Sequence, residues 1–161
     1  MTPAPIRQAV TPTDVAQARA LFEEYAAWLN VDLCFQGFAR ELATLPGAYA
    51  PPRGRLLIAG LPEAAVGCIA VRPLAGEEFS VPTGEIKRLY VKPDARGTGL
   101  GLRLVETLLQ EARAIGYREL KLDTLDRMTG ARRLYERLGF VACSPYYHNP
   151  LPGAVYMTRT L

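Results

Sequence analysis

Apolar and polar positions alternate along this chain in a way that predicts short strands interleaved with amphipathic helices. Ile6, Gln8 and Val10 mark a short first strand. Thr11-Pro12-Thr13-Asp14 offers a helix start, with Thr13 or Asp14 as the cap. Val15, Ala18, Leu21, Phe22, Tyr25 and Leu29 follow at helical spacing, to about Asn30. A second helix is predicted over Phe38–Leu45, stopping before Pro46-Gly47, and Gly47–Gly54 reads as a loop. Arg55–Ala59 and Ala64–Pro73 predict strands joined by Gly60-Leu61-Pro62-Glu63. A loop over Gly76–Val81 leads to a strand starting at Glu85 and ending at Val91, where Ile86, Leu89 and Val91 break strict alternation and suggest a bulge. Leu100, Leu104, Leu108 and Ala112, with Val105 and Leu109 beside them, form one face of a helix that Gly116 ends. Glu119–Thr124 predicts a strand and Thr129–Leu138 a helix closed by Gly139. Phe140–Cys143 and Ala154–Thr160 predict the last strands. Residues 1–161 read as a single α/β domain, without repeat or linker.

Composition narrows the function classes. At 161 residues, 49% apolar and 22% charged, the chain can bury a real core. A net charge of +3 with no basic run suits an anionic ligand and argues against nucleic acid as partner. Cys34, Cys68 and Cys143 form no CxxC pair, and His148 is the single histidine, so no metal site is expected. The cysteines read as small buried hydrophobes in a reducing, cytoplasmic setting. The first ten residues show no signal-peptide pattern, and Pro62-Glu63 divides the apolar stretch Leu56–Val71, so no membrane partner is expected.

Arg96-Gly97-Thr98-Gly99-Leu100-Gly101 lies between a predicted strand and a predicted helix. Such a turn is an anion site: glycines let backbone N–H groups converge, and the helix start adds partial positive charge. Arg96 and Thr98 offer further donors. Leu102 stands where the dinucleotide fingerprint needs its third glycine, and no Gly-Lys-Ser/Thr follows, so neither common nucleotide motif fits.

The segment Val91–Gly101 resembles the central Arg/Gln-x-x-Gly-x-Gly/Ala motif of the GCN5-related N-acetyltransferase (GNAT) family. Ala131-Arg132-Arg133-Leu134-Tyr135-Glu136-Arg137-Leu138-Gly139-Phe140 is similar to a second segment of that family, Ala-x-x-Leu-Tyr-x-x-x-Gly-Phe. The resemblance runs from about Arg55 to the C-terminus. It implies a mixed, mostly antiparallel central sheet of about six to seven strands flanked by about four helices. It implies acetyl-CoA as co-substrate, its pyrophosphate on the N–H groups of Arg96, Gly97, Thr98, Gly99, Leu100 and Gly101. Pantetheine would run beside the fourth strand, bonded near Leu89 and Val91. Met128 departs from the pattern, since many members carry a cofactor-contacting asparagine there. A homodimer is admitted by family habit.

Transfer of an acyl group to an amine needs a neutral amine, a donor for the developing oxyanion and a proton for the departing thiolate. The resemblance makes Tyr135 the candidate acid and Glu85 the candidate base; His148 or water are the other bases on offer. Packing between helix and sheet would equally account for Tyr135, and a strand-end ion pair for Glu85. The oxyanion donor would be a backbone N–H of Leu89 or Tyr90. The acceptor, a small-molecule or peptide amine, would meet Tyr25, Phe35, Gln36 and Tyr147, with Arg88 suited to an acceptor carboxylate. Direct transfer in a ternary complex is expected. A non-catalytic acyl-CoA-binding module would share the glycine turn without depending on Tyr135.

Overall fold

A computed structural model describes residues 2–161. Seven strands follow the chain as β1 (Ile6–Gln8), β2 (Arg55–Leu61), β3 (Ala64–Leu74), β4 (Thr83–Val91), β5 (Glu119–Leu125), β6 (Val141–Ala142) and β7 (Ala154–Thr160). Four helices accompany them: α1 (Pro12–Leu29), α2 (Phe38–Thr44), α3 (Leu100–Ile115) and α4 (Thr129–Arg137). The strands form one sheet in the order β1-β2-β3-β4-β5-β7-β6. Only the β4–β5 pair is parallel, so the sheet is mixed and mostly antiparallel, as expected.

Helices cover both faces of the sheet, which is why β2 and β3 read as nearly continuous apolar runs. Leu57, Ala59, Ile69, Val71 and Ile86 pack with Leu104, Val105 and Leu108 of α3. Leu56, Ile58, Cys68 and Ala70 point the other way, against Ala18, Leu21 and Phe22 of α1. Alternation along each strand therefore feeds two cores.

Several local expectations shift. The cap of α1 is Thr11, not Thr13 or Asp14: its side chain accepts the Asp14 N–H, and Asp14 reaches back as the third helical residue of a capping box. Pro62-Glu63 alone makes the β2–β3 turn, because Leu61 still pairs with Ala64. The Gly47–Gly54 loop holds a 3-10 turn at Gly47–Tyr49 that buries Tyr49 against Phe22. Of the three cysteines only Cys68 is buried; Cys34 is exposed and Cys143 half-buried. Trp28, one residue before the end of α1, is 43% exposed.

The expected bulge lies in β4. Cys68 pairs with Tyr90 and Ala70 with Lys87, so β4 carries one more residue than β3 across this interval. Arg88 takes a left-handed φ of 62° there, and its carbonyl accepts the Cys68 thiol at 3.2 Å. The bulge turns two consecutive side chains, Lys87 and Arg88, toward the α1–α2 side. β4 and β5 are matched only from Thr83–Glu119 to Glu85–Lys121, and beyond that pair they diverge.

Candidate active site

The divergence of β4 from β5 opens a groove of about 580 Å³. Leu89, Tyr90 and Val91 form one wall, Met128 and Ala131 of the α4 segment the other, and the glycine turn its end. Gly97 and Gly99 have φ of 76° and 81°, a backbone region that side-chain-bearing residues avoid. A Cβ at either would meet nothing within 4 Å, so it would project into open space. The N–H groups from Gly97 to Leu102 bond to no other described residue. Gly99 caps α3 without a side-chain partner, leaving the start of a 16-residue helix to an external acceptor. A pyrophosphate suits this end, since it brings the acceptor oxygens these donors lack.

Arg96 and Thr98 are already engaged. Thr98 Oγ1 donates to the Ala95 carbonyl at 2.7 Å, closing the turn. Arg96 Nε donates to the Val91 carbonyl at 2.9 Å, and its guanidinium lies 4.8 Å from the Trp28 ring centroid and 5.7 Å from that of Tyr90. The Val91 carbonyl, an expected pantetheine contact, thus has one lone pair occupied.

A smaller cavity of about 60 Å³ lies deeper between the same strands and shares Leu89, Met128 and Ala131 with the groove. Tyr25, Gln36 and Arg88 line it, as do Tyr135, Lys87, Asp123 and Asn149. Tyr135 is 5% exposed, its ring packs edge-on against Phe140, and its hydroxyl has no hydrogen-bond partner among the described residues. Burial first, with the Asp123 carboxylate adding to it, pushes its phenol well above the ordinary range, so it is protonated at neutral pH.

Glu85 lies elsewhere. It is fully buried inside β4 rather than at a strand end, since β4 begins at Thr83. Arg72 Nε donates to it at 2.9 Å and Tyr146 Oη at 2.5 Å, while Lys87 Nζ stands 3.7 Å away. It lines neither the groove nor the cavity. Phe35 also stays outside, packed toward Leu29, Leu33 and Leu125. Tyr147 sits behind the cavity wall, donating to Asp123 and accepting from Gln36 Nε2 at 3.1 Å. His148 is exposed and borders only a shallow outer depression. Arg88 is buried and committed: Nε and Nη2 grip Glu41 at 2.8 and 3.1 Å, and Nη1 donates to Gln36 at 2.8 Å.

Asp123 was missed by sequence reasoning. Its Oδ2 accepts from Tyr147 and from Asn149 Nδ2 at 2.8 Å, and Lys87 Nζ stands 3.4 Å from Oδ1. Burial pushes its carboxyl up, but Lys87, Tyr147 and Asn149 outweigh burial and hold it below the ordinary carboxylate value. A lone acid in a strand carries no sequence signal for this; its partners come from β4 and from the segment between β6 and β7, far along the chain. No cluster of metal-ligating side chains occurs among the described residues. No helix among them is long and apolar enough to cross a membrane.

Known proteins resemble this chain in sequence and fold. The family model described as Acetyltransferase (GNAT) family matches residues 15–140. An uncharacterized N-acetyltransferase of Schizosaccharomyces pombe is 42% identical over 147 residues, covering 91% of this chain and 88% of its own. An IAA acetyltransferase of Azospirillum brasilense is 36% identical over 115 residues, covering 70% and 71%. A Klebsiella pneumoniae crystal structure described as an acyl-CoA N-acyltransferase, 31% identical, superposes with a TM-score of 0.73 over 98% of this chain and 97% of its own. A Salmonella typhimurium structure with its cofactor acetyl-CoA shares the fold at a TM-score of 0.68 and 20% identity, over 99% and 94%. With the family model spanning most of its length and the strand divergence and glycine turn both in place, this chain belongs to the GNAT acetyltransferase family, whose co-substrate is acetyl-CoA.

Proposed function

We propose that this chain transfers the acetyl group of acetyl-CoA directly to a primary amine of a small-molecule or peptide acceptor, with both bound at once. The observation that carries this reading is the joining of two spaces by the β4–β5 divergence: a groove ending at unbonded helix-start amides, and a polar cavity walled by Tyr135.

The co-substrate, when bound, supplies an activated thioester. The amides from Gly97 to Gly101 hold its pyrophosphate, and Leu89, Tyr90 and Val91 guide the pantetheine arm along β4. Transfer breaks the thioester C–S bond and forms a C–N bond; the amine loses one proton and the sulfur gains one. Tyr135 keeps its proton near neutral pH and donates a hydrogen bond to the departing sulfur, its free hydroxyl being available for that. A backbone N–H of β4 beyond the bulge serves the carbonyl oxygen.

Glu85 acts as the buried partner of Arg72, and the proton released by the amine leaves to water. Arg88 shapes the acceptor cavity through Glu41 and Gln36 rather than meeting an acceptor carboxylate. A panel of primary amines incubated with acetyl-CoA tests the reading, with thiol release and mass spectrometry of the amine as readouts. Acetylated product supports it. Tight acetyl-CoA binding with no product from any amine would favour a non-catalytic binding module.

A further inference from the structure

The cavity behind Tyr135 has a charge balance that bears on which amines it admits, granted the transferase reading above. Asp123 is the only carboxylate among the residues that line it. Its Oδ2 is saturated by Tyr147 and Asn149, whereas Oδ1 meets only Lys87 Nζ, at 3.4 Å. A carboxylate oxygen accepts more than one donor, so Oδ1 has room for another.

The surrounding charges cancel. Lys87 Nζ lies between Asp123 at 3.4 Å and Glu85 at 3.7 Å. Arg72 from β3 pairs with Glu85 at 2.9 Å, and Arg88 with Glu41 of α2 at 2.8 Å. Three cations thus face three carboxylates. The phenols of Tyr25 on α1, Tyr135 on α4, and Tyr146 and Tyr147 after β6 are all pushed upward, chiefly by burial, and are neutral. Gln36 and Asn149 add no charge. An entering ammonium would therefore meet no surplus of negative charge to offset its lost hydration. Lys87 reports what an amine experiences here: burial, with Arg88 and Arg72 adding repulsion, holds its ammonium below the ordinary lysine value despite both carboxylates.

We infer that the acceptor enters as the neutral amine and donates an N–H to Asp123 Oδ1, so that weakly basic amines, such as the α-amino group of an amino-acid amide or peptide, are preferred to alkyl amines. The cavity's size fits this. At about 60 Å³ it admits an amino group and its adjoining carbon, given roughly 30 Å³ for one water. At pH 7 about a tenth of an α-amine near pKa ~8 is neutral, against roughly one part in 2,500 of an alkyl amine near ~10.4.

Glycinamide and n-butylamine, similar in size and different in basicity, are the probes, with acetyl-CoA saturating and pH varied from about 6 to 7.5, below both amine pKa values. Binding of the neutral form makes the glycinamide KM fall nearly tenfold per pH unit while kcat stays level, and puts butylamine kcat/KM about a hundredfold or more lower at pH 7. Asp123→Asn should raise the glycinamide KM at least tenfold, with the acetyl-CoA KM within about twofold. A level KM with kcat rising in its place means that the ammonium binds, and overturns the inference. So does an unchanged amine KM in Asp123→Asn. If that variant does not fold, judged by circular dichroism, the wild-type KM–pH slope decides alone. No turnover of either probe by protein that acetylates another amine of the panel also overturns the preference. Failure to bind acetyl-CoA overturns the transferase reading instead.

Discussion

Glu85 and Lys121 form the last matched pair of the β4–β5 ladder, and the two strands part beyond them. From Ile86 onward β4 is paired on its β3 side only, so its other edge faces the groove. A parallel pair closed along its whole length would leave neither groove nor cavity. The bulge at Arg88 works with this divergence, because it points Lys87 and Arg88 into the same polar layer.

Tyr135→Phe removes a hydroxyl that has no hydrogen-bond partner among the described residues. Its unfolding free energy should stay within about 0.5 kcal/mol of wild type. If the phenol serves the departing sulfur, kcat should fall about a hundredfold with the acetyl-CoA KM little changed. Steady-state thiol release checks this, and an unchanged kcat excludes Tyr135 as the acid.

Gly99→Ala and Gly116→Ala form a matched pair at the two ends of α3. Both glycines have positive φ, 81° and 107°, and a Cβ at either meets nothing within 4 Å. Each substitution should cost about 1–2 kcal/mol of stability through backbone strain alone. Only Gly99→Ala should also weaken acetyl-CoA binding, by tenfold or more, since its Cβ enters the anion's space. Denaturant melts and calorimetry separate the two effects. Equal affinities for both variants would count against the turn as the pyrophosphate site.

Arg88→Ala leaves the largely covered Glu41 carboxylate with the Tyr49 hydroxyl, at 3.0 Å, as its remaining side-chain donor. Glu41 would lose its two-point grip, and Gln36 its donor. The expected loss is about 3–5 kcal/mol. Adding Glu41→Gln to Arg88→Ala should recover a large part of it, because a neutral amide tolerates burial better. A double-mutant cycle in urea measures the coupling, and additive losses would contradict it.

Asp123 links stability to pH. Its folded value lies below the ordinary 3.8 even though burial opposes this. A group lowered on folding contributes stability that is fully present above its unfolded value. That contribution is lost as pH falls through the folded one, below about pH 4. The stability gap between wild type and Asp123→Asn should therefore narrow from about pH 5 to about pH 2. A gap constant across that window would mean that Lys87, Tyr147 and Asn149 do not hold the carboxylate ionised.

The helices and the glycine turn were legible because each rests on local chemistry. Leu100, Leu104, Leu108 and Ala112 repeat at a helical period, and Gly97 and Gly99 announce a left-handed turn. The bulge showed itself as a break in alternation. What lay beyond reach was long-range pairing. Nothing near Glu85 in sequence shows that Arg72 and Tyr146 will bury it, and nothing near Asp123 foretells Lys87, Tyr147 and Asn149. Trp28 has core spacing, yet it is 43% exposed and lines the groove, where Arg96, far along the chain, stacks on it. Thr11 lost out as the cap to Thr13 and Asp14 in the sequence reading because all three are cap formers; only the reciprocal bond with Asp14 decides.

The central claim is that acetyl-CoA lies in the β4–β5 groove with its pyrophosphate on the start of α3. Backbone amide NMR of the 17.7 kDa chain, titrated with acetyl-CoA, tests it most directly. The account predicts the largest shifts at the amides from Gly97 to Leu102, with a second set at Leu89 to Val91. Saturable binding that leaves the amides from Gly97 to Leu102 unmoved would contradict it.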